Sequence, residues 1–151
     1  MPGPEALFDE LYRDLILEYY RSPKNRGSLP QPTHRAEGLN PTCGDEITIE
    51  VKLDGNTIEE LTFDGQGCSI SQASAAMLGE LVTGKPVDDA LHIAHRFEDM
   101  VLRGEEPDPV IGDLEAFQGV AKFHARVKCA TLAAKVLADC VESPVNAKAG
   151  G

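Results

Sequence analysis

Between residues 46 and 53 the chain alternates: Ile47, Ile49, Val51 and Leu53 are interleaved with Thr48, Glu50 and Lys52. Strand side chains leave opposite faces in turn, so this period of two predicts a β-strand with one face buried and one wet. Asp54-Gly55-Asn56 supplies hairpin-turn chemistry, and residues 57–63 can return as the antiparallel partner. The sheet so formed has one face to cover.

The rest of the chain reads as that cover. A helix is predicted over 71–83, stopped by Gly84 and Pro86, and another over 87–102 with Ala90, Ile93, Ala94, Phe97, Met100 and Val101 on one side. An acidic loop at 105–109 leads to a short segment around 113–118 and a final helix over 125–141. At the other end, Leu7, Leu11, Leu15 and Tyr19 recur at helical spacing over 4–21, and Pro23 and Gly27 close that helix. A loop or short strand follows to Asn40. Strands early and helices late predict an α+β fold, with helices segregated to one face of a small antiparallel sheet. With 151 residues, 42% of them hydrophobic, the chain can fill one core and not two. A single domain over 1–142 is expected, and 143–151 has too little apolar content to order itself.

Charge narrows the partners. Lys and Arg total 14 against 25 Asp and Glu, a formal net charge of −11, so the long-range field repels phosphate backbones and anionic lipid surfaces. Nucleic acid and membrane are therefore not expected as partners. The first fifteen residues carry acidic groups where a signal peptide is basic and then apolar, and no run approaches the roughly 18 apolar residues of a membrane span, so a cytoplasmic location is expected. In a reducing compartment the four cysteines, Cys43, Cys68, Cys129 and Cys140, point to metal or reactive chemistry, with two disulfides as the alternative.

Three of these cysteines fall at predicted element ends. Cys43 precedes a strand, Cys68 follows one at the entrance to a helix, and Cys129 sits in the first turn or so of the last helix. On extended backbone Cys43 and Asp45 would project from the same side, and Gly44 between them lets the loop bend. Together with Cys68 and Cys129 they offer three sulfurs and one oxygen, a donor set for tetrahedral zinc. The competing reading is that the cysteines pack as small apolar groups and Asp45 caps a turn. Cys140 lies eleven residues beyond Cys129, about 16 Å along a continuous helix, and is assigned to the core. His92 and His95 share a helix face but read as surface or packing residues, and His34 and His124 are isolated.

The motifs YRSPKNRG, NPTCGDEI, GQGCSISQASAAML and ARVKCATL, in this order, resemble the U-type proteins of iron–sulfur cluster assembly, relatives of IscU and the N-terminal domain of NifU. The resemblance implies a compact α+β fold with a three-stranded antiparallel sheet, and Cys43, Asp45, Cys68 and Cys129 as metal ligands. Two departures from the IscU type point to the SufU branch: Lys128 stands before Cys129 where scaffold proteins have histidine, and an extra segment lies at about 103–119. That branch implies zinc, a SufS-type cysteine desulfurase as sulfur donor, downstream cluster-scaffold machinery as recipient, and at most a sulfurtransferase activity within a relay. Cys43, in the loop best able to move, is the expected sulfur acceptor. Three thiolates and a carboxylate around a divalent ion leave a charge of about −2, which Arg126 and Lys128 would offset; Arg126 also reads as an ordinary surface cation. The alternatives are a scaffold holding iron or a [2Fe–2S] cluster, and a purely structural zinc module.

Overall fold

The computed structural model describes residues 4–145, with side chains from residue 12 onward. Its elements are α1 (Pro4–Arg21), β1 (His34–Asn40), β2 (Asp45–Asp54), β3 (Thr57–Gln66), α2 (Ser69–Val82), α3 (Val87–Arg103), a 3-10 segment (Pro109–Lys122) and α4 (His124–Cys140). The strands form one antiparallel sheet in the order β1-β2-β3.

The alternation on β2 and β3 does what its period requires. Ile47, Ile49 and Val51 on β2 and Ile58, Leu61 and Phe63 on β3 are buried under the helices, whereas Glu46, Glu59, Glu60 and Asp64 face solvent. A register shift between Lys52 and Leu53 breaks the pattern and leaves Leu53 half-buried. β3 continues past residue 63 to Gln66 and runs almost directly into α2.

Residues 34–40, which the pattern left open between loop and strand, form the edge strand β1. Its inward positions are small, Ala36 and Gly38, so apolar periodicity could not announce it. A Cβ at Gly38 would lie 2.6 Å from Val136 Cγ2, and its absence lets α4 lie against the sheet. Residues 143–145 pair along the outer edge of β1: Arg35 N donates to Ser143 O at 3.1 Å and Val145 N to Thr33 O at 2.8 Å. The remainder of the expected tail, 146–151, lies outside the described residues.

α2 is buried continuously from Ser71 to Gly79, which places it at the centre of the helical layer. α3 turns its expected face inward, with Ala90, Ile93, Ala94, Phe97, Met100 and Val101 all buried. The segment expected around 113–118 is longer, spanning 109–122 with a break at Gly112 (φ 53°, ψ −131°). Phe117 meets Phe97 edge to face with centroids 5.9 Å apart, fastening this segment to α3. No helix among the described residues is long and apolar enough to cross a membrane. For function, the consequence is convergence: the β1–β2 turn, the β3–α2 junction and the N-terminal half of α4 meet at one edge.

Candidate metal centre

β1 and β2 form a hairpin whose last opposed residues are Asn40 and Asp45, leaving Pro41, Thr42, Cys43 and Gly44 as the turn. Cys43 N donates to Asn40 O at 3.2 Å, and Gly44 adopts φ 71°, a left-handed conformation costly for residues with a Cβ. Cys43 is thus on a hairpin tip, half-exposed, not on the extended backbone expected of it. The turn, not the two-residue repeat of a strand, brings its sulfur round to Asp45.

On the opposite side Gly65, near the end of β3, and Gly67, just beyond it, both have positive φ, and the chain enters α2 through Cys68 at the N-cap position. Cys68 N donates to Asp45 Oδ1 at 3.0 Å, and Ser71 Oγ, one turn into the helix, donates to the same oxygen at 3.1 Å. Gly67 packs so closely that a Cβ there would lie 2.3 Å from Asp45 Oδ1. Cys129 lies in the second turn of α4, deeper than expected, and is fully buried.

The ligand atoms of Cys43, Asp45 and Cys129 all lie within 4.8 Å of one another. Bonds of about 2.3 Å from a tetrahedral zinc would set sulfurs about 3.8 Å apart, so small side-chain movements suffice to close such a shell. The sulfur of Cys68 falls outside this set, but its backbone N–H is already bound to Asp45. Two or three soft sulfurs with one anionic oxygen fit zinc, and with all four residues the shell is a closed S3O set.

Asp45 brings the negative charge to this cluster. Burial alone would raise the pKa of Asp45, yet donors from Cys68 N, the Cys129 thiol, Ser71 and Asn40 outweigh it and hold the carboxyl below its ordinary value. Burial, followed by interactions with Cys43, Asp45 and Cys68, pushes the Cys129 thiol well up, so metal binding must displace its proton. Arg126 lies one helical turn before Cys129, and attraction to Cys68 together with a hydrogen bond to Cys129 raises its pKa. Lys128 is exposed and about 100° round the helix from Cys129. All four cysteines are free, which removes the disulfide alternative. Cys140 is buried with its thiol 3.4 Å from Ile49 O, and burial lifts its pKa to about 12, consistent with its core assignment. His92 and His95 are exposed on α3.

Sequence reasoning missed Asn40, Ser71 and Gly67. Each stands within three residues of a named ligand, but only the fold shows them turned towards Asp45.

A family model described as the NifU-like N terminal domain matches residues 11–130. The zinc-dependent sulfurtransferase SufU of Bacillus subtilis (strain 168) is 46% identical over 133 residues, covering 87% of this chain and 90% of that protein. The iron–sulfur cluster assembly scaffold protein IscU of Streptococcus pyogenes serotype M1 is 38% identical over 141 residues, covering 93% and 88% respectively. Among solved structures, that of FiSufU from Fervidobacterium islandicum AW-1 superposes with a TM-score of 0.83 at 34% identity, covering 88% of this chain and 98% of the other.

Proposed function

Since this chain belongs to the family of NifU-like N-terminal domains, we propose that it is a zinc-bound sulfur acceptor of iron–sulfur cluster assembly. It takes persulfide sulfur from a SufS-type cysteine desulfurase and passes it to downstream cluster-scaffold machinery. The observation that carries this reading is the meeting of Cys43, Asp45 and Cys129 within 4.8 Å, with Cys43 on an accessible turn and the other two buried.

Cys43, Asp45, Cys68 and Cys129 would hold the metal. Zinc, when bound, keeps the thiols deprotonated at neutral pH and takes no part in redox chemistry. The transfer itself is an exchange between sulfurs. The Cys43 thiolate attacks the terminal sulfur of the partner's persulfide; a new S–S bond forms at Cys43 as the bond to the partner's cysteine breaks. The electron pair leaves with the partner's thiolate, so no external oxidant or reductant is needed. Arg126 faces the sulfurs and offsets the negative charge gathered on them, while Asp45 and Cys129, anchored in the fold, keep the site's shape as the Cys43 turn moves.

Replacing Cys43 with serine should leave desulfurase docking intact and abolish persulfide on this chain. Intact-mass measurement after incubation with desulfurase and cysteine is the check, and undiminished persulfide on the variant rejects the assignment. A scaffold role is the second reading, favoured by the 38% identity to an IscU. Lys128, in place of the histidine expected of that type, stands against it. Anaerobic purification yielding stoichiometric iron and sulfide with visible absorption would reverse the order.

A further inference from the structure

The residues around the site are not held equally. Cys43 Sγ has Ala125 O at 3.9 Å, a weak contact from a turn. Asp45 and Cys129 are joined by one side chain: Asn40 Nδ2 donates to Asp45 Oδ2 at 3.1 Å and to Cys129 Sγ at 3.6 Å. Asn40 is 5% exposed, and its backbone oxygen also accepts the Cys43 N–H. One residue therefore touches three elements of the site.

The chemistry of the amide suits this position. Its NH2 group has two hydrogens, one for each acceptor, and no lone pair to repel a carboxylate or thiolate. An apolar residue would leave Asp45 Oδ2 and Cys129 short of a donor in a place water barely reaches. A carboxylate would set like charges side by side.

We propose that Asn40 is a positioning residue that locks Asp45 and Cys129 at a fixed separation, so that these two retain the metal while Cys43 is engaged with sulfur. It touches the ligands and not the reacting atoms, and its role rests on the metal-binding reading above. Removing an outer-shell partner of this kind typically lowers metal affinity about 10- to 100-fold. The N–H···S bond also stabilises the sulfur lone pairs, so its loss should move sulfur-to-metal charge transfer to lower energy.

The test uses the full chain as wild type, Asn40→Ala and Asn40→Leu, the last matching asparagine in shape without a donor. Zinc affinity is measured by competition with a chromophoric chelator, the cobalt(II) charge-transfer band by absorption, and metal-free stability by urea unfolding. Both variants should bind zinc about 10- to 100-fold more weakly, with the cobalt band at longer wavelength. If Asn40→Ala does not fold without metal, Asn40→Leu decides. Wild-type affinity with an unshifted band in a folded variant overturns the inference and leaves the sulfur-relay reading standing. A wild-type chain that takes up neither zinc nor cobalt defeats both.

Discussion

Gly67 shows how a single missing side chain shapes this site. Its φ of 144° already disfavours any L side chain, and a Cβ would lie 2.3 Å from Asp45 Oδ1, so substitution must displace the carboxylate. Gly67→Ala should cost about 1–3 kcal/mol in urea unfolding and weaken zinc binding in the same preparation. An alanine variant with wild-type stability and affinity would show that the junction is looser than described. Three of the four residues expected as ligands, Cys43, Asp45 and Cys129, do meet in the fold, and they stood out in the sequence because cysteine and aspartate advertise metal chemistry by type. Asn40 and Ser71 did not, since short polar residues near a bend serve many ends, and only burial against Asp45 gives these two a definite role.

Among the elements, α4 carries Cys129 and Arg126 and is placed against the sheet by the gap at Gly38. Because Val136 is β-branched and stiff, a methyl at Gly38 cannot be absorbed by a rotamer change. Gly38→Ala should therefore destabilise the fold by about 1–3 kcal/mol and, by shifting α4, lower metal affinity although residue 38 binds nothing. Denaturant titration with parallel zinc competition measures both, and intact affinity alongside lost stability would uncouple α4 position from the site. α1 and the 3-10 segment pack against each other, and Tyr19 OH donates to Asp113 Oδ2 at 2.9 Å. Desolvation first, and then Asp113, raise the Tyr19 pKa. That contribution is complete below the ordinary tyrosine value and is lost as pH rises through the folded one. Tyr19→Phe should accordingly flatten the alkaline loss of stability seen in unfolding above about pH 10. An unchanged alkaline limb would mean that other groups govern it. Strands β2 and β3 and helix α3 could be foreseen from periodicity, which burial enforces. β1 could not, because its inward residues are too small to create a pattern.

For the molecule as a whole, the proposed metal ligands come from the β1–β2 hairpin, the α2 entrance and α4, so a bound ion would staple elements that a large apolar core already holds together. A ligand present at a thousand times its dissociation constant adds about 4 kcal/mol of stability. Chelation should thus lower the melting temperature by roughly 10 °C without unfolding the protein at room temperature. Circular dichroism before and after chelator reads this directly; global collapse would favour a purely structural zinc module. By itself the sequence determined the fold class, the extents of its periodic elements and the residue types able to bind a soft metal, because each follows from local spacing and side-chain chemistry. Only tertiary structure decided that Cys43 rides a turn opposite Asn40, that Cys129 is buried in the second turn of α4, and that one amide spans Asp45 and Cys129. These are contacts between residues as far as 89 positions apart, and such distances are set by packing of whole elements, which no local pattern encodes.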